Sequence, residues 1–98
     1  MNDKELLELA AKAAGMDGLG LFWNERLKCL WDAEGLTFDP LEDDGDALRL
    51  AVKLVLGIRF YIDGVGVGES YEMNNADPQA ATRRAIVRAA AEIGRAMG

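Results

Sequence analysis

Asp39-Pro40-Leu41-Glu42-Asp43-Asp44-Gly45-Asp46 is the most polarised run in this chain, and its carboxylates have the density of a cation loop. Position decides against that chemistry. An EF-hand loop carries its glycine sixth, so Gly45 would make Pro40 the first ligand and Ala51 the twelfth. Proline brings no carboxylate to the first position, and alanine cannot supply the bidentate carboxylate required at the twelfth. The glycines Gly64, Gly66 and Gly68 invite comparison with a dinucleotide loop, which needs G-x-G-x-x-G between a strand and a helix. Here the spacing is G-x-G-x-G, and the strand-like Glu69-Ser70-Tyr71-Glu72-Met73 follows. Small residues at these positions are expected instead to let Tyr61 lie over the neighbouring strand, as aromatics do across sheet glycines.

Nucleophilic catalysis would need Cys29 or Ser70, the only cysteine and the only serine, beside a base. The chain has no histidine. Cys29 alternates with Leu27 and Trp31, the pattern of a residue packed on one strand face. Carboxylates are plentiful but crowd into one loop, whereas a general acid and base need an enclosed pocket. No catalytic residue, cofactor or metal ligand is assigned, and a non-enzymatic protein is expected.

What remains is charge. Residues 32–46 hold Asp32, Glu34, Asp39, Glu42, Asp43, Asp44 and Asp46 without a lysine or arginine. Residues 78–98 invert this, with Arg83, Arg84, Arg88 and Arg95 against Glu92 alone. An acid at a helix cap and another in the first turn suit the helix dipole, but seven exceed that need. Their mutual repulsion calls for an answering cation. It could be the chain's own arginines, a second subunit in a homodimer, or a partner with a basic surface. The candidate interaction residues are therefore Asp32, Glu34, Asp39, Glu42, Asp43, Arg84, Arg88 and Arg95.

The elements that must position these residues follow from periodicity. A helix is expected from Asp3 to Ala14, capped by Asn2 with Glu5 three residues on, and ended by Gly15. Two short strands are expected around a turn at Asn24-Glu25-Arg26, with Leu27, Cys29 and Trp31 on one face; Leu36-Thr37-Phe38 reads as a further extended piece. A second helix should span Asp46 to Leu56, with Ala47, Leu48, Ala51, Val52, Val55 and Leu56 as a wide apolar face and Gly57 just past its end. Asp63-Gly64 predicts a two-residue type I′ hairpin in which Ile62 faces Val65 and Phe60 faces Val67. Asp77-Pro78 should cap a last helix reaching Met97. Its Arg84, Arg88, Ala91 and Arg95 should line one side, and Ile86, Ala90, Ile93 and Met97 the buried one. The order α-β(β)-α-β-β-α predicts a small single α+β domain over residues 1–98, its helices packed on a mostly antiparallel sheet of three to five strands.

Totals agree with this. Ninety-eight residues, half hydrophobic and 29% charged, suit one globular core. A single cysteine cannot form a disulfide within the chain, which fits a reducing compartment. The charged start Met1-Asn2-Asp3-Lys4-Glu5 lacks the apolar stretch of a signal peptide, and no apolar run approaches the roughly 20 residues of a membrane span. A cytoplasmic protein that does not touch membrane is expected. The net charge of −6 argues against direct nucleic-acid binding.

Three segments resemble the phage ABA sandwich family, small proteins of bacterial viruses and prophages. They are Met1-Asn2-Asp3-Lys4-Glu5-Leu6-Leu7-Glu8-Leu9-Ala10-Ala11-Lys12-Ala13-Ala14-Gly15, then Pro40 through Leu54, and Asp77-Pro78-Gln79-Ala80-Ala81-Thr82-Arg83-Arg84-Ala85-Ile86-Val87-Arg88-Ala89-Ala90-Ala91-Glu92-Ile93-Gly94. The resemblance implies helix, sheet and helix layers, and a phage accessory protein in the cytoplasm of a bacterial host. It carries over no catalytic residues. Its sharpest implication is an anti-CRISPR-like inhibitor of host defence that uses an acidic surface; the alternative is a self-associating structural or regulatory phage protein.

Overall fold

A computed structural model describes residues 1–16 and 18–97. Its elements run α1 (Asp3–Ala13), β1 (Phe22–Asn24), β2 (Cys29–Trp31), β3 (Thr37–Phe38), α2 (Asp44–Lys53), β4 (Ile58–Phe60), β5 (Gly64–Val67), β6 (Ser70–Met73) and α3 (Pro78–Ala96). This is the expected α+β order, with one difference: the six strands form two antiparallel sheets, β1-β2-β3 and β4-β5-β6. Among the described residues no helix is long and apolar enough to cross a membrane.

All three helices start where local chemistry says they should. Asn2 Oδ1 accepts from the Glu5 N–H at 2.8 Å, Asp43 Oδ2 from the Asp46 N–H at 2.8 Å, and Asp77 Oδ1 from the Ala80 N–H at 3.0 Å. Each bond satisfies a donor that the helix itself leaves orphaned.

The core collects around α3, which packs on α1, on β5 and β6, and on α2. Ala81, Ala85, Ile86, Val87, Ala89, Ala90, Ala91 and Gly94 are all buried. The expected single buried stripe is thus corrected in two respects. Ala91, placed with the arginines, is buried, whereas Ile93 and Met97 are exposed because the face of the last turns that meets a neighbour is that of Gly94. At Gly94 the approach of α1 is so close that a methyl group would overlap the Leu9 carbonyl.

In β5 the residues alternate. Val65 and Val67 are buried on the helix side, and Gly64 and Gly66 face the other way. A methyl at Gly66 would stand 3.0 Å from the Arg59 guanidinium, and one at Gly64 would stand 2.5 Å from the Tyr71 hydroxyl. The small residues therefore admit Arg59 and Tyr71, where Tyr61 was expected. The register also shifts. Phe60 pairs with Val65 and Ile58 with Val67, and Tyr61 and Gly64 close the turn around Ile62-Asp63. Neither turn residue has positive φ, so the type I′ expectation fails. A slip of two residues preserves which side chains face α3, so burial did not oppose it.

The β1–β2 connection is likewise longer than expected. Asn24 pairs with Cys29 across residues 25–28, and Asn24 Oδ1 accepts from the N–H groups of Arg26 and Leu27. Leu27 is therefore an exposed turn residue and shares no strand face with Cys29.

The second helix begins and ends earlier than Asp46–Leu56, and its termination is unusual. In α1 the Gly15 N–H donates to the Lys12 carbonyl and the Met16 N–H to the Ala11 carbonyl, with Gly15 at φ +75°. The same Schellman arrangement ends α2: the Val55 N–H donates to Val52 and the Leu56 N–H to Ala51. Here the left-handed position is held by Val55 at φ +55°, 88% exposed, and Gly57 lies beyond it. A β-branched residue is poorly suited to that conformation.

Val55→Gly should therefore raise unfolding stability by about 1 kcal/mol, read as a higher urea midpoint at unchanged slope. Gly94→Ala should act the other way, by about 3 kcal/mol, because the helix pair must move apart; a melting curve unchanged by this substitution would contradict the crossing.

Candidate functional site

Seven acids precede or open α2, and their fates diverge. Asp32 organises the β2–β3 turn: its Oδ1 accepts from the N–H groups of Glu34 (2.9 Å) and Leu36 (3.0 Å). Asp43 caps α2. Asp46 Oδ2 accepts from the Asp39 N–H at 2.9 Å, while its Oδ1 pairs with Arg49. Asp44 meets Arg83 at 2.6 Å. Glu34 and Glu42 are exposed, and no hydrogen bond or ion pair of their side chains is found among the described residues.

The connection between β3 and α2 owes its shape to buried apolar anchors and one cation. Pro40 and Leu41 are buried. The Asp39 carbonyl accepts from the N–H groups of Glu42 and Asp43, folding the chain into a turn at the helix start. Arg83 reaches across from α3, donating from Nε to the Leu41 carbonyl at 2.8 Å and from Nη1 to Asp44. Its side chain is only 15% exposed, whereas that of Asp44 is 66% exposed, so solvent screens the ion pair from one side. The sequence carried a signal for it: Arg83 sits three residues before Ile86, on the side of α3 that turns inward. The acidic run is thus answered in part by the chain's own arginine helix, through a residue absent from the candidate set.

Asp39 is the exception within the run. It is half-buried, and its Oδ1 is buried with no hydrogen-bond partner among the described residues. Burial pushes its carboxyl above the ordinary aspartate range, and the charges of Glu42, Asp46 and Asp43 push the same way; Arg83 opposes them. The same environment reaches Cys29, the buried thiol behind it. Burial raises its pKa first, then Asp39 and Asp46 add to the shift. Burial and a raised pKa both lower the reactivity of a thiol.

The structure therefore brings Asp39, Glu42 and Asp43 together at one end of β3, and places Asp32 and Glu34 in the turn at its other end. The arginines Arg84, Arg88 and Arg95 do not join them. Arg84 pairs with Asp3 at 3.1 Å, Arg88 with Glu72, and Arg95 with Glu92 at 3.3 Å. Arg84 and Arg88 line a recess of about 440 Å³ with Met1, Leu6, Ser70, Glu72 and Glu92. The charges there are mixed, so the recess presents no single sign to a ligand.

A carboxyl that holds its proton more tightly folded than unfolded stabilises the fold below its unfolded pKa. That contribution is lost as pH rises through the folded pKa. Asp39→Asn removes the charge without touching the backbone bonds of the turn. The variant should be more stable than the parent chain at pH 7, with the advantage shrinking as pH falls through the raised folded pKa and gone below about 4. Denaturant midpoints at the two pH values measure this, and a variant less stable at pH 7 would contradict the assigned environment.

Comparison with protein-family models, with curated proteins and with solved structures brings no match to this chain.

Proposed function

We propose that this protein acts by binding another protein, offering the acidic connection between β3 and α2 to a basic surface. The observation that carries the reading is the convergence of Asp39, Glu42 and Asp43 at one end of β3, where Asp39 Oδ1 has no hydrogen-bond partner among the described residues and Glu42 and Asp43 are exposed. It marks a place where negative charge is crowded beyond what Arg83 and Arg49 offset. A cationic partner would relieve that repulsion, and complementary charge would speed and orient its docking. Glu42 and Asp43 form the centre of this surface, and Glu34 extends it past β3.

The partner is external in this reading. Arg84, Arg88 and Arg95 are each engaged within their own chain, which disfavours an acidic run of one copy meeting the arginine stripe of another. The buried, protonated Cys29 supports a binding role over catalysis. The resemblance to phage ABA sandwich proteins supplies the setting: a phage or prophage accessory protein that occupies a lysine- or arginine-lined groove of a host defence complex, in the manner of an anti-CRISPR inhibitor.

Expression in a host with an active CRISPR system should raise phage plaquing, and tagged protein should retain a defence component that is washed off by salt. Glu34→Gln with Glu42→Gln should weaken both effects without altering the melting curve. Unchanged plaquing together with no retained partner would sink the proposal.

A further inference from the structure

The two edges of the β4-β5-β6 sheet are finished differently. On β6 the Tyr71 carbonyl accepts from Arg88 at 3.5 Å, and the same guanidinium pairs with Glu72, so an arginine of α3 reaches over that edge. On β4 the reciprocal bonds between Tyr61 and Gly64 set the alternation of the ladder. Arg59 faces Gly66 in the next hydrogen-bonded pair, and the N–H and C=O groups of Ile58 and Phe60 point away from the sheet. No protein partner for these four groups is found among the described residues.

This edge also lacks the devices that usually block strand pairing. Gly57-Ile58-Arg59-Phe60-Tyr61-Ile62 contains no proline and no lysine. Its one charge, Arg59, is folded back over Gly66 and donates from Nη2 to the Gly68 carbonyl at 2.8 Å. Above the edge lies an apolar groove of about 330 Å³ between α2 and α3, lined by Leu48, Ile58, Phe60 and Ile86 among others. Phe60 is 72% exposed and Ile62 wholly so, and Leu48 and Val52 of α2 are exposed beside them.

We propose that β4 pairs antiparallel with β4 of a second copy about a two-fold axis at Arg59, merging two three-stranded sheets into one of six strands. The register is dictated by the outward groups: Ile58 opposite Phe60 of the other copy, Gly57 opposite Tyr61, and Leu56 opposite Ile62. Apolar residues at the two ends of the edge are thereby self-complementary, as an isologous interface requires. Phe60 and Ile62, left bare in one copy, are covered in two. The two Arg59 side chains meet on the opposite face, where like charges would repel, but each is tied back toward its own Gly68. The pairing leaves the acidic connection free, so it does not rest on the binding reading above.

Sedimentation of the full chain across a concentration series should give a dimer whose dissociation constant is little changed by high salt. Ile62→Lys, at a wholly exposed position, should weaken it at least tenfold and leave the melting curve of the dilute monomer unchanged; Phe60→Lys should do the same. In a Cys29→Ala background, Arg59→Cys should cross-link two copies on mild oxidation, because directly opposed residues of a non-hydrogen-bonded pair lie within disulfide reach. Tyr61→Cys should not. A chain that stays monomeric at every concentration would overturn the proposal. So would a dimer indifferent to both lysine variants, or one that Arg59→Cys fails to cross-link.

Discussion

The close contact between α1 and α3 is the constraint to which the other elements adjust. Gly94 lets the Leu9 backbone rest against α3, and Ala85, Ala89, Ala90 and Ala91 let neighbours approach along much of the helix. Small side chains bury little area apiece, but close approach multiplies the contacts that each one makes. Helix α3 can therefore serve as the hub for α1, α2 and the β4-β5-β6 sheet in a chain of only 98 residues. On the far side of that sheet no helix is needed, since Arg59 and Tyr71 lie across the glycines of β5.

Positions on α3 that do not meet a neighbour directly carry its arginines, and three of these act as struts. Arg83 holds the β3–α2 connection, Arg84 reaches α1, and Arg88 reaches β6. The exposed struts contribute little apiece, whereas nearly buried Arg83 joins a carbonyl and a carboxylate at once. Engaged internally, the arginines of α3 leave the chain's net charge of −6 largely unanswered at the acidic connection. That imbalance gathers where Asp39, Glu42 and Asp43 converge.

Two helix starts were legible because a cap is a bond between residues three apart, and Asn2 and Asp77 each have the short acceptor side chain that it requires; α2 starts two residues before the expected Asp46 because Asp43 makes the same bond. The burial of Cys29 was legible too, from its place on a short strand. The hairpin register was not, because alternation cannot distinguish two pairings that differ by two residues, and the Asp-Gly preference pointed to the wrong one. Leu48 and Val52 followed helical periodicity faithfully. Which part of that apolar arc is covered, however, depends on where α3 and β4 stand. The end of α2 was misjudged for a related reason: a Schellman turn needs a left-handed residue at a fixed place, and Val55 stood there instead of a glycine.

The sequence by itself determined the order of elements and the caps of the helices, since these depend on residue type and on spacings of a few positions. Only the tertiary structure decided which acids were consumed and which stayed free, for Asp44 meets Arg83 and Asp3 meets Arg84 across long stretches of chain. It also decided that one sheet edge was covered by an arginine and the other left open. Ion pairs and strand edges are settled by distance in space, which a linear spacing does not encode.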